Sequence, residues 1–236
     1  MAHITQVHLK GKIGPLICYT RSGQQVARTQ AEFVKQTPGT IRSSNRLGTA
    51  SSASKRLLSL LSPALPAATD GDLHGKFTGV ITKWLKEYNL HDVPVLNHLP
   101  HIHQFSFNKE TSIAGCWRVN LTCTQQSPDS FTCNVPEFVP LQSISAPNGT
   151  VSIQCTLAAA CISITDKTMM YSHTETLTFL NNDSPVAAQS ILFPVPATND
   201  CLVIIAAALT YTLTHSIPEV RPAFMPSSVI GSWYIH

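Results

Sequence analysis

Charge is scarce in this sequence. Its 16 Lys and Arg and 13 Asp and Glu make up 12% of 236 residues, about half the share in an ordinary soluble domain. A surface so neutral is covered by Ser, Thr, Asn and Gln or is buried between copies of the chain, and much of this one is expected to be buried in that way. Cysteine pairs are missing too. The seven cysteines, Cys18, Cys116, Cys123, Cys133, Cys155, Cys161 and Cys201, are odd in number and form no C-x-x-C, which argues against a disulfide framework. They read as small buried apolar residues in a reducing compartment, with a cross-strand disulfide from Cys116 to Cys133 or Cys123 left open for a chain released from the cell. Aromatic residues are 7% of the chain, too few in the segments between strands for a sugar-binding platform.

Catalytic signatures are absent as well. The sequence has no phosphate-binding Gly loop, no dinucleotide fingerprint, no nucleophile elbow and no carboxylate pair on a helical face. Nothing reads as an enzyme, and no cofactor is implied. Residues 1–23 lack the unbroken apolar stretch of a secretory signal. The most apolar segment, residues 201–209, is far too short to cross a bilayer as a helix. These features predict a soluble protein with no membrane span, cytoplasmic or released by a route without such a signal.

The charge that is present is divided. Residues 1–88 hold 12 Lys and Arg against 4 Asp and Glu, whereas residues 89–236 hold 4 against 9. A positive end and a weakly negative end can attract anions or the opposite end of another copy. The basic end opens with extended segments, Ile4 to Leu9 and Ile13 to Thr20, and a turn at residues 21–24 that returns as a hairpin strand over 25–29. Between Thr40 and Leu61, Leu47, Ala50, Ala53, Leu57, Leu58, Leu60 and Leu61 form a stripe at roughly helical spacing that Pro63 and Pro66 end. A second helix carries Phe77, Val80, Ile81, Trp84, Leu85 and Tyr88 on one face, with Asp70 or Asp72 as its N-cap.

Beyond Pro94 and Pro100 the apolar period changes to two. Strands are predicted over 103–108, 113–124, 130–135, 138–144, 150–165, 168–180, 188–193, 201–215 and 228–235, with a bulge near Ala160-Cys161 where the alternation slips. Asn148-Gly149 and Thr165 to Thr168 mark turns. Residues 201–209 are apolar at every position and predict a central strand covered on both faces. The fold class is α+β and mainly β: an extended arm or hairpin over 1–38, a basic two-helix region over 39–90, a His/Pro linker over 91–102 and an antiparallel β-sandwich over 103–236.

Three sets of residues are candidate sites. His98, His101 and His103, with His91 nearby, are weak zinc candidates, because their spacing matches no strong finger or protease pattern and no carboxylate sits within it. Arg21, Arg28, Arg42, Arg46, Lys55 and Arg56 form a diffuse basic patch that suits phosphates or, as the favoured reading, a solvated helix face or charge pairing between copies. Tyr19 and Phe33 are the only rings there for bases to stack on. Ile4, Leu9, Ile13, Leu16 and Ile17 are apolar residues suited to insertion into a neighbouring sheet, with Trp84 and Trp117 anchoring helix and sheet. Asn120-Leu-Thr122 and Asn148-Gly-Thr150 match the glycosylation sequon and carry no weight without an export signal.

The run Lys10-Gly-Lys-Ile-Gly-Pro-Leu-Ile-Cys-Tyr-Thr-Arg-Ser-Gly-Gln24, followed by Arg28, Val34-Lys-Gln36 and a helix ending Gly48 to Arg56, resembles the start of an uncharacterised Bacteroidota family of small proteins. The likeness covers residues 8–62 and extends more loosely over 100–236 in the order of strands and the ending at 229–235. Family members carry an Arg- or Gln-rich helix where this chain is Ser-rich. The resemblance implies a basic N-terminal segment followed by a β-sandwich, and a non-enzymatic role. Together these readings predict a structural protein that assembles with itself into a filament, tube or shell. The alternatives are a β-sandwich binding or adhesion module and a nucleic-acid-binding protein using residues 21–56.

Overall fold

The computed structural model describes residues 10–21, 23–30, 36–66, 71–88, 99, 101–127, 129–196, 200–214, 217–218 and 221–235. The chain divides into two compact units, Met1–Ser43 and Ser44–His236. As the alternating patterns predict, the class is α+β and mainly β, with three antiparallel sheets among the described residues.

In the first unit β1 (Gly11–Ile13), β2 (Leu16–Arg21) and β3 (Gln24–Thr29) form a meander with β2 in the centre. Its connections turn on Gly14 and Gly23, whose φ values of +57° and +77° lie where a side chain is strained. Cys18 is buried at the centre of β2, opposite Gly11 and Ala27, while Ile13 and Leu16 remain 51% and 41% exposed. Arg28 stacks over Tyr19 at 6.0 Å. Helix α1 (Pro38–Leu60) starts here: Pro38 supplies a preset φ at the first position, and the Thr37 hydroxyl accepts the Thr40 N–H at 3.2 Å.

The second unit has three layers. Its central sheet runs β7 (Met170–Leu180), β6 (Thr150–Ser163), β9 (Cys201–Leu213), and the far side of β9 pairs with both β10 (Ile217–Pro218) and β11 (Ser227–Ile235). A second sheet, β4 (Thr122–Ser127), β5 (Ser130–Val135) and β8 (Gln189–Pro194), covers one face. The other face is covered by α1 from Ser44 onward and by α2 (Leu73–Tyr88).

Side-chain parity assigns each residue to a core. Ile153, Cys155, Leu157, Ala159 and Cys161 of β6 and Val203, Ile205, Ala207 and Leu209 of β9 meet Phe131, Cys133 and Phe193 between the sheets. Ala158, Ala160 and Ile162 with Leu202, Ile204, Ala206 and Ala208 meet Ala50, Ala53, Leu57, Leu61, Phe77 and Ile81 on the helices. Alanines on both sides let α1 lie close to the sheet, and that packing stabilises a helix whose many Ser and Gly residues are weak helix formers.

Because both faces are covered, residues 155–163 and 201–209 are all buried. The loss of alternation at Ala160-Cys161 follows from this double cover: pairing with β9 continues unbroken from Ser152 to Ser163, and no bulge forms there. The bulge-like register shifts lie between Thr150 and Ser152, between Val229 and Gly231 and, in the second sheet, between Gln125 and Ser127.

Three predicted strands differ. Over 113–124, Ile113–Cys116 is a short helix, α3, capped by Ser112, and only residues from Thr122 are strand. Over 138–144, Phe138 makes a single bridge to Val186 before Pro140 starts the helical turn α4 (Pro140–Ser143). Over 103–108, the chain turns with Gln104 at φ 65° and lies irregularly along the β11 edge, with Gln104 N–H donating to the Val229 carbonyl at 3.2 Å and Phe107 N–H to Ser227 at 2.9 Å. Apolar alternation marks a segment with one buried side, which an edge cover also has.

Candidate interaction surface

Strand β7 forms one edge of the central sheet. Its sequence, MYSHTETLTFL, is rich in β-branched residues that favour extended backbone. It pairs with β6 without a break from Met170 to Leu180. Tyr171, His173, Glu175, Leu177 and Phe179 lean toward the inter-sheet core, while Ser172, Thr174, Thr176 and Thr178 are exposed on the opposite side. His173 Nε2 donates to Glu175 Oε1 at 2.9 Å, and the imidazole packs edge-on against Phe193 at 5.8 Å.

Natural sheets protect such edges with Lys, Pro, a bulge or a covering segment. The β11 edge is covered by Leu99, Gln104, Phe105 and Phe107. The β7 strand contains no Lys, Arg, Pro or Gly. Among the described residues, no backbone group outside the sheet bonds to residues 170–179. Met170 and Leu180, at its two ends, are 43% and 59% exposed.

A cleft of about 430 Å³ lies elsewhere, lined by His103, Gln104, Ile113, Trp117, Arg118 and Asn120 among others. Its hydroxyls are already used in holding backbone: Ser112 Oγ accepts the Gly115 N–H at 3.2 Å and Ser228 Oγ accepts the Ile113 N–H at 3.1 Å. Arg118 and Asn120 remain exposed at its rim, which suits a small polar ligand.

The structure distributes the sequence candidates widely. Ile4, Leu9 and His98 lie outside the described residues. His101 donates to Glu87 at 2.5 Å, and His103 is half-buried in the wall of the cleft. Among the described residues no group of three or more His, Cys, Asp and Glu is placed to hold a metal ion. Ile13 and Leu16 are exposed and Ile17 is half-buried within the meander. Trp84 is buried and meets Tyr234 edge-on at 5.2 Å, while Trp117 is buried against Phe138 at 5.3 Å.

Of the basic residues, Arg21, Arg28, Arg42 and Lys55 are exposed, and Arg46 is half-buried. Arg56 is directed to a structural task. Its guanidinium donates to the carbonyls of Ser163 at 2.8 Å, Lys167 at 3.2 Å and Asp166 at 3.4 Å, and so holds the turn that joins β6 to β7. Burial lowers the Arg56 pKa from its ordinary value, with nearby Asp166 opposing that effect. The Asp166 carboxyl is held below its ordinary pKa, first by the hydroxyl and then by the N–H of Thr168.

None of the seven cysteines is in a disulfide. Cys116 sits in α3, whereas Cys123 lies directly opposite Cys133 across β4 and β5. The Cys123 thiol is pushed up by its hydrogen bond with Cys133 and by burial, and those of Cys155 and Cys161 chiefly by burial. Cys201 Sγ lies 3.4 Å from Met169 Sδ.

Sequence reasoning missed the β7 edge as a site. Its visible signal was eleven alternating residues with no Lys or Pro. That it lay at an edge was not visible, because strand order depends on pairing between distant segments. No protein-family profile and no curated protein sequence matches this chain.

Proposed function

We propose that this protein is a non-enzymatic structural subunit that joins copies of itself into a homopolymer, such as a filament, tube or shell, through its N-terminal meander and its β-sandwich. The observation that carries this reading is the long, regular β7 edge, which offers unpaired backbone groups and almost no charge to repel another strand. The exposed Ile13 and Leu16 of the meander and the low overall charge point the same way. A three-stranded meander this small buries little of its own apolar surface and gains stability by lying on another one. Head-to-tail contact of that kind makes open chains.

Sedimentation and negative-stain electron microscopy of the purified full chain test the reading. Ordered polymer is expected, and deletion of residues 2–20 should leave soluble small species or amorphous aggregate. A full-length chain that stays monomeric at high concentration, or a deletion variant that assembles unchanged, refutes it. The cleft beside Trp117 favours the binding-module reading, for which a discrete small particle is expected in the same measurement.

A further inference from the structure

We infer that β7 is a homotypic docking strand: the β7 edges of two copies pair antiparallel about a twofold axis through Thr174, joining two five-stranded sheets into one. The inference rests on the self-association reading and names the surface, the partner and the register. Outward from Thr174, β7 is self-complementary. Ser172 faces Thr176, His173 faces Glu175, Tyr171 faces Leu177, and Met170 faces Thr178 of the second copy.

Each pair, being of equal parity, shares a face of the sheet, and all but the outermost, Met170 with Thr178, match in chemistry. On the exposed side Ser172 with Thr176 and Thr174 with its own copy set hydroxyl against hydroxyl. On the inter-sheet side an apolar pair meets at each end, and imidazole meets carboxylate twice.

Neighbouring registers lose this match. Centring on Glu175 sets two carboxylates against each other, and like charges directly opposite are destabilising. Centring on His173 sets two imidazoles together and leaves Glu175 facing Tyr171. A slip of one residue sets exposed side chains against inter-sheet ones. Overlap of residues 170–178 gives on the order of eight backbone hydrogen bonds, about one per residue. The His173–Glu175 contact within one strand, at 2.9 Å, shows that the two side chains reach each other along this face. A twofold joint uses the edge in both copies and closes on itself, so growth into a polymer depends on the meander as a second contact.

Crosslinking tests the register. In the proposed dimer, a cysteine in place of Thr174 faces its own copy with Cβ atoms about 5 Å apart. A cysteine in place of Thr178 lies roughly 27 Å from its counterpart, eight residues along the strands. A short bismaleimide should therefore couple Thr174→Cys into a covalent dimer and leave Thr178→Cys and the parent chain at background. His173→Glu, which sets Glu against Glu, should reduce coupling of Thr174→Cys roughly tenfold, an effect of about 1.4 kcal/mol. Adding Glu175→His restores the match and should restore the coupling.

Coupling of Thr174→Cys no greater than that of Thr178→Cys overturns the inference. If the parent chain still assembles by sedimentation, only the β7 register falls. If the parent chain is also monomeric, the self-association reading falls with it.

Discussion

Replacement of Arg56 by Met separates a structural cation from a phosphate-binding one. Methionine keeps an unbranched stem of similar reach and removes only the charged fork. The bond to the Ser163 carbonyl is the short one, at 2.8 Å and partly buried, whereas the bonds to Lys167 and Asp166, at 3.2 and 3.4 Å, are exposed. A charge-assisted bond of the first kind contributes about 1.5–3 kcal/mol, and the longer pair adds little. Burial of the guanidinium, which lowers its pKa, offsets part of that gain. The expected loss is therefore about 2 kcal/mol. In a unit of this size it corresponds to a fall in Tm of about 4–8 °C or in the urea midpoint of about 1 M.

Arg56→Lys should recover less than half of this loss, because a single ammonium cannot span three carbonyls. Binding to a single-stranded nucleic acid probe should not change in either variant. An unaltered Tm together with weakened probe binding refutes the structural assignment of Arg56.

Two further predictions concern the core. A Cβ at Gly231 falls 2.3 Å from Trp233 Cη2 and 3.0 Å from Cys123 Cβ, so Gly231→Ala should destabilise by about 2–3 kcal/mol through overpacking, and an unchanged thermal midpoint contradicts this. The raised pKa values of Cys123, Cys155 and Cys161 make the fold alkali-sensitive. The native thiols keep protons that the unfolded chain releases above about pH 8.5, so stability is full below that value and falls as pH rises, by about 1.4 kcal/mol per unit per thiol. Urea midpoints should drop steeply from pH 8.5 to 10, less so in Cys155→Val, and a flat profile removes the argument.

Much of this protein is legible in its amino-acid order. The period of 3.6 around Phe77 to Leu85 specifies a helix, the period of 2 over 170–180 a strand, and the uninterrupted apolar run at 201–209 a strand covered on both faces, because each pattern reports how a short segment meets water and core. The low charge and its division along the chain are likewise matters of composition.

Tertiary structure alone decided what depends on residues far apart. Arg56 meets a carbonyl 107 positions away, and β6 lies between β7 and β9 so that β7 becomes an edge. Ser112 caps a helical turn where alternation predicted strand, and Leu99 with residues 104–107 closes one sheet border while leaving another open. Local periodicity records whether a side chain is buried, whereas the identity of its neighbour is set by strand order and register, which arise only when the whole chain packs.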